Sequence, residues 1–440
     1  MKKITVIGTG YVGLVSGAGI SDFGHTVICA DIQEEKINDL KNGIIPIFEP
    51  GLEELVIRNT TAKRLSFTSD IANAIKKADV VYIAVGTPES KSGEADLAAV
   101  WTVAETIAKN LNGYKVICTK STVPIGTGKK ICEIIDEHRN PNVEYDYVSN
   151  PEFLREGAAV EDFIHPDRII IGSTSERAFE IMKDVFRPLY INETPLIHTN
   201  VQTAEMIKYA SNAYLALKIS YINEIANLCE AVDADVHVVA KAMGIDGRIS
   251  PKFLHPGPGF GGSCFPKDTK ALAYTAEKLN SHMRTINAAI ETNIAQKKRM
   301  VKKLKILVDG SFKGKQIAVL GLSFKPQTND IRESPAIEMI EALLSGGAFV
   351  KAYDPVAVDT MRLKFPDIQY LNTWEAAVEA CQAMVIMTDW NEFRGLNISK
   401  LKKLMAQPVV LDTRNVLSME ELHDNGFRFD NVGRHGKSYK

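Results

Sequence analysis

The chain has 440 residues, of which 45% are apolar and 24% charged, with a formal net charge of −2. That length predicts about two to three domains, each with a full core. The composition is that of a soluble globular protein, and the near-neutral balance gives no electrostatic case for nucleic acid or an anionic membrane surface.

No apolar run approaches the roughly 18 residues of a membrane span. Lys2 and Lys3 ahead of apolar residues imitate a signal peptide, but glycines interrupt the run and no clean small-residue cleavage site follows. Cys29, Cys118, Cys132, Cys229, Cys264 and Cys381 lack the paired spacing of a zinc site or a disulfide framework. No metal is expected, and the pattern fits a reducing, cytoplasmic setting.

The first predicted strand, Ile4 to Ile7, runs into Gly8-Thr-Gly-Tyr-Val-Gly13 and then a helix. A second strand, His25 to Ala30, ends in Asp31. Strand, G-x-G-x-x-G, helix, strand and acid in this order specify a dinucleotide turn. Gly8, Gly10 and Gly13, with Tyr11 and Val12 inside the turn, let backbone approach a pyrophosphate at the helix N-terminus. Asp31 would accept from a ribose 2′-hydroxyl and repel a 2′-phosphate, favouring NAD over NADP. Lys36 is close enough in sequence to help hold the adenosine side, an exposed helical lysine being the plainer alternative.

Further βα units follow. Ala78 to Val85 ends in Gly86-Thr-Pro88, Lys115 to Thr119 in Lys120-Ser-Thr-Val-Pro124, and Asp146 to Ser149 in Asn150-Pro-Glu-Phe-Leu-Arg-Glu-Gly157. These are C-terminal strand ends, where open parallel sheets bind ligands. Cys29 and Cys118 fall in strands and read as core. Ile169 to Gly172 is one more strand, and the first domain ends near residue 200.

Thr203 to Val232 is helical, with Glu205, Lys208 and Asn212 on one face. Alone, that pattern reads as a solvated stripe with one Glu–Lys pair. Gly257, Gly259, Gly261 and Gly262 then precede Cys264 in a stretch permissive enough to wrap a ligand. Pro266 suits the first turn of a helix continued by Thr269 to Leu279. A thiol beside a helix N-terminus and Lys267 is biased toward thiolate, and reads as a nucleophile more readily than as a small core filler. Ser281 to Val308 is a second long helix. Its basic run from Gln296 to Lys305 reads as a solvated face beside the apolar stripe Ile294, Val301, Leu304 and Val308.

The last third repeats the grammar of the first. Gln316 to Leu320 with Gly321 matches the opening strand, and Val350 to Tyr353 ends in Asp354 as the second strand ends in Asp31. Pro335 to Leu344 is the helix between them, with Ala383 to Met387 and Val409 to Leu411 as further strands. The second and third glycines are missing, so this half is expected to hold a nucleotide other than NAD. The fold class expected is α/β, with two Rossmann-like doubly wound domains joined by a long central helical region and the active site between them. Residues from Gly433 to Lys440 are polar and read as mobile.

An NAD domain with a nucleophilic cysteine implies more than alcohol oxidation. A thiolate can trap the aldehyde as a thiohemiacetal, a second oxidation gives a thioester, and hydrolysis gives an acid. The order Gly8-x-Gly-Tyr-Val-Gly13, Ser121-Thr-Val-Pro124, Asn150 to Gly157, Gly259 to Asp268, Gly321-Leu-Ser-Phe-Lys-Pro326 and Arg332-Glu-Ser-Pro335 resembles the UDP-glucose/GDP-mannose dehydrogenase family over essentially the whole chain.

That resemblance implies residues 1–200 for NAD, 201–310 as a central domain with catalytic residues and dimer contacts, and 311–440 for the UDP-sugar. It implies Cys264 as nucleophile, Lys208 and Asn212 at the oxyanion, and Asp268 and Thr122 managing a water. Glu152 would assist hydrolysis, and Thr87, Thr122, Glu156, Lys267 and Arg332 would contact NAD. The substrate path would take Glu152, Phe153, Leu154, Arg155, Glu156, Phe253, Leu254, His255, Pro256, Gly257, Gly261 and Lys325, together with Lys208 and Asn212. Arg248 would reach a neighbouring subunit's substrate, implying a homodimer. The loop around Cys264 resembles the UDP-glucose branch, with UDP-glucuronate for polysaccharide synthesis as the implied product and GDP-mannose as the alternative substrate. Gly86 and Asn329 depart from the family's usual proline and acid. Two readings of other classes remain: a one-step hydroxyacid-type dehydrogenase, which shares the NAD domain, Lys208 and Asn212 but leaves Cys264 and the last domain without a role, and an NAD-binding redox sensor switched at Cys264, which has no need of Lys208, Asn212 and Asp268.

Overall fold

Short β-branched runs separated by helices of amphipathic spacing fold into βαβ units, because a parallel strand must be reached by a crossover. The computed structural model describes residues 1–90 and 93–434. They form two compact units: Met1–Ser211 with Tyr274–Leu279, and Asn212–Ala273 with residues from 280 onward. The long helix Val201–Val232 is shared, dividing after Ser211.

The first unit carries β1 (Lys3–Ile7), β2 (Thr26–Ala30), β3 (Leu65–Thr68), β4 (Val80–Ile83), β5 (Lys115–Thr119), β6 (Tyr145–Ser149), β7 (Ile169–Gly172) and β8 (Leu196–Thr199). They form one sheet in the order β3-β2-β1-β4-β5-β6-β7-β8, with only the β6–β7 contact antiparallel. Alternate residues serve opposite faces. Val80 and Tyr82 join one core while Val81 and Ile83 join the other, so both faces are covered as a parallel sheet requires.

The second unit repeats the order with β9 (Gln316–Leu320), β10 (Phe349–Tyr353), β11 (Gln369–Tyr370), β12 (Ala383–Ile386), β13 (Val409–Asp412) and β14 (Arg428–Asp430), arranged β11-β10-β9-β12-β13-β14 and parallel throughout. Ile317 and Val319 face one core, and Ala318 and Leu320 the other. The switch point, where strand order reverses beside the first strand, therefore occurs once in each sheet.

Several local expectations are corrected. Gly433 is fixed, its N–H donating to Glu230 (2.9 Å) and its carbonyl accepting from Val236; residues 435–440 of the expected mobile tail lie outside the described residues. The basic run is not simply a solvated face: Gln296, Lys297 and Lys303 are buried, while Ile294 of the supposed apolar stripe is exposed. Lys303 bonds Asp430 and the Asn431 carbonyl, so these cations seal the helix Arg284–Leu307 to its neighbours. Among the described residues, no helix is long and apolar enough to cross a membrane.

Candidate active site

In the first unit the dinucleotide turn has a built cradle. Gly8 has φ +101° and a side chain there would strike the Ala84 carbonyl, while one on Gly13 would strike the Gly8 carbonyl. A side chain on Gly10 would meet nothing within 4 Å, so the space on that side of the turn is open. The helix Tyr11–Asp22 starts with no side-chain cap, so its first N–H groups point at that space. Asp31 accepts from the Thr9 N–H and hydroxyl, both at 2.8 Å, and Lys36 stands 3.5 Å away. Burial pushes the Asp31 pKa up, but the Thr9 and Gln33 hydrogen bonds and Lys36 outweigh it, and the net shift is downward. Lys36 is thus an ion-pair partner of Asp31 rather than an idle surface lysine. These residues fit a dinucleotide with a free 2′-hydroxyl.

The next strand ends carry further residues of the expected site. The Thr87 hydroxyl donates to the Thr122 carbonyl (2.9 Å), joining the loops after β4 and β5. Lys208 Nζ donates to Glu152 Oε1 at 2.9 Å, with each side chain only 4% exposed. It also lies 5.3 Å from the Phe153 ring. The supposed solvated stripe is therefore buried: Glu205, Lys208 and Asn212 are all at most 6% exposed. Leu154 N–H donates to Glu152 Oε2 (2.5 Å), which folds the segment back on itself. Glu156 is buried, whereas Arg155 pairs in a fork with Asp162, not with its neighbour.

In the second unit Cys264 directly precedes the helix Phe265–Lys278, and its carbonyl accepts from the Asp268 N–H (2.8 Å). Pro266 stands in the first turn of this helix, as expected, because its missing N–H costs nothing there. Asp268 is fully buried, with Oδ2 accepting from Asn212 Nδ2 (2.6 Å) and Oδ1 facing Lys267 Nζ (3.0 Å). Lys208 and Asn212 lie one turn apart on the same helix.

The glycine loop is held by residues that sequence reading missed. Asn223 accepts from Gly257 N–H (2.8 Å), Gln296 donates to the Gly257 carbonyl (2.9 Å), and Asn293 bonds both main-chain groups of Phe260. Gly262 N–H donates to the Arg332 carbonyl at 2.7 Å, and a side chain on Gly261 would collide with the Glu333 carbonyl. This close approach sets the loop against the 321–335 segment carrying Lys325 and Arg332. Arg332 pairs with Asp330, and Lys297 with Glu333. Arg414, also missed, donates to the Met387 and Phe324 carbonyls and approaches Gly257; burial depresses its pKa. Leu254 and Pro256 are buried, Phe253 is half-buried with positive φ, and His255 is exposed. Arg248 is exposed and pairs with Asp246.

Among the described residues no group of three His, Cys, Asp or Glu could hold a metal ion. The arrangement supplies a dinucleotide cradle, a buried Lys–Glu pair, and a cysteine one helical turn from an Asn-bonded aspartate.

Comparison with known proteins places this geometry. The pattern of the UDP-glucose/GDP-mannose dehydrogenase family matches in three parts: its NAD binding domain at residues 2–190, its central domain at 202–295, and its UDP binding domain at 318–419. A UDP-glucose 6-dehydrogenase of Bacillus subtilis (strain 168) is 51% identical over 99% of this chain and 94% of its own. One of Rhizobium meliloti (strain 1021) is also 51% identical, covering 98% of this chain and 99% of its own. A solved UDP-glucose dehydrogenase from the hyperthermophilic archaeon Pyrobaculum islandicum superposes with a TM-score of 0.92 at 35% identity, over 99% of this chain and 98% of that one. The chain belongs to the UDP-glucose/GDP-mannose dehydrogenase family and is an NAD-dependent oxidoreductase.

Proposed function

We propose that the protein oxidises UDP-glucose to UDP-glucuronate in two steps without releasing the aldehyde. The observation that carries this reading is Cys264 at the start of a helix whose first turn holds Asp268, itself bonded to Asn212. A one-step dehydrogenase has no use for that thiol. The relatives at 51% identity, named for UDP-glucose, support the choice of sugar.

Bound NAD supplies the hydride acceptor for each of the two oxidations, with Gly8, Gly10, Tyr11, Val12, Gly13, Asp31, Lys36, Thr87, Thr122, Glu156, Lys267 and Arg332 holding it. The first oxidation converts the sugar C6 alcohol to an aldehyde. Cys264 Sγ then adds to the carbonyl carbon, forming a C–S bond, and Lys208 and Asn212 stabilise the oxygen that gains charge. The second oxidation breaks the remaining reacting C–H bond and leaves a thioester. Water, positioned by Thr122 and Asp268, adds to it with help from Glu152, and cleavage of the C–S bond returns the thiolate. Four electrons leave the sugar, two NAD are reduced, and one water supplies the new oxygen.

The sugar nucleotide is assigned to Phe153, Leu154, Arg155, Phe253 to Gly257, Gly261 and Lys325, with residues 1–200, 201–310 and 311–440 dividing the work of cofactor, catalysis and nucleotide. The protein acts as a homodimer in which Arg248 reaches the partner's substrate. Supporting this, Tyr214, Tyr221, Leu228 and Val232 lie exposed along the long helix, the first three at seven-residue spacing. The cytoplasm is the assigned location, and polysaccharide synthesis the use of the product.

The test compares UDP-glucose with GDP-mannose in the wild type and in Cys264→Ala. UDP-glucose should give the higher kcat/KM, and the alanine variant should form no acid. Preference for GDP-mannose would replace the sugar; wild-type acid formation without the thiol would end the mechanism.

A further inference from the structure

The Asn150–Gly157 segment carries Glu152, and its two ends are anchored differently. At its start, the Asn150 side chain donates to the Ile170 carbonyl (2.7 Å) and accepts from buried Lys120 Nζ (3.0 Å). At its end stands Glu49, from the stretch between the helices Glu34–Lys41 and Leu52–Thr61. Glu49 is buried; Oε2 accepts from the Gly157 N–H (2.6 Å) and the Tyr11 hydroxyl, and Oε1 from the Ala159 N–H (2.7 Å). Gly157 N–H also lies 3.0 Å from the Tyr11 oxygen. One carboxylate thus joins the first residue of the dinucleotide-turn helix to the last residue of the segment bearing Glu152.

We propose that Glu49 is a positioning residue, which acts through the Gly157 and Ala159 amides and Tyr11 to hold Glu152 in register with Lys208. The proposal rests on the role assigned above to Glu152. Its physical basis is acceptor count. Three donors converge on the two oxygens, and charge-assisted bonds of this kind are the strong ones. Glutamine keeps the shape but turns one oxygen into an NH₂ donor, which then faces a main-chain N–H that cannot rotate away.

The experiment is hydrogen exchange and steady-state kinetics on the full chain carrying Glu49→Gln. Amides of residues 150–159 should exchange about tenfold faster, in the range expected for losing one such bond, while those of Val201–Val232 are unchanged. In the same variant kcat should fall about tenfold, with the KM for NAD within about twofold of wild type. Unchanged exchange in 150–159 would overturn the proposal, as would faster exchange with unaltered kcat per titrated site. Tyr11→Phe removes a single donor, and should shift both readouts the same way by less; it carries the test if the glutamine variant does not fold. Glu152→Gln is measured in parallel: wild-type turnover there refutes the role of Glu152 itself, whereas the exchange result judges Glu49 alone.

Discussion

Glu205 offers a test that needs no ligand. Its carboxylate accepts from the N–H groups of Gly126 (2.7 Å) and Gly128 (2.8 Å), at the start of the helix Thr127–His138 that follows the Thr122 loop. Burial pushes its pKa from an ordinary 4.5 up to about 7, against the pull of those two hydrogen bonds. The folded chain therefore holds this proton more tightly than the unfolded chain. Its contribution to stability is full below the unfolded pKa and is lost as pH rises through the folded one. At about 1.4 kcal/mol per pH unit the whole loss is about 3 kcal/mol, of which about 2 kcal/mol falls between about pH 5.5 and about pH 8. In Glu205→Gln this titration is gone, and every other group is shared with the wild type. Urea unfolding followed by circular dichroism across that range should show the stability of wild type relative to variant falling by about 2 kcal/mol. A difference that stays constant, or that grows in favour of wild type with rising pH, would refute the burial argument.

Three further outcomes follow from named contacts. Asp31→Asn keeps an acceptor for Thr9 but removes the charge that repels a 2′-phosphate, so the ratio of kcat/KM for NADP to that for NAD should rise about tenfold, on the scale of about 1.4 kcal/mol for one interaction; an unchanged ratio contradicts the role of Asp31. Lys208→Ala strands Glu152 as a buried charge and should cost about 3–5 kcal/mol in unfolding measurements, with Glu152→Gln costing less; equal small losses would mean the pair is not desolvated. Tyr221→Glu places a charge in the exposed apolar stripe of the long helix and should convert a dimer to monomer in sedimentation velocity; a wild type that already sediments as a monomer contradicts the assembly.

Much of the architecture was legible because its signals are local. The turn at Gly8 to Gly13 and the ends of β1, β2, β4, β5, β6 and β9 are written in consecutive residues. The edges were not: β11 has two residues and β14 three, too short for alternation to register, and β3 and β8 sit at the ends of their sheet. In the site, Cys264 could be found from its glycine loop, whereas Asp268 came only from the family resemblance. Glu49 could not, because its amide partners lie 108 and 110 residues away and its own segment has no periodic pattern. Asn223, Asn293 and Gln296 escaped for the same reason, as each bonds a loop more than thirty residues distant. The helix face of Glu205, Lys208 and Asn212 shows the limit most clearly. Spacing gave the face, but only tertiary packing decided that it was buried rather than solvated.

The most direct test of the proposed chemistry is the NADH released per molecule of limiting UDP-glucose with NAD in excess. Two NADH per sugar, with an acid as product, is the predicted result, because in the proposed mechanism Cys264 retains the aldehyde for a second oxidation. One NADH per sugar, with an aldehyde or ketone as product, would contradict it.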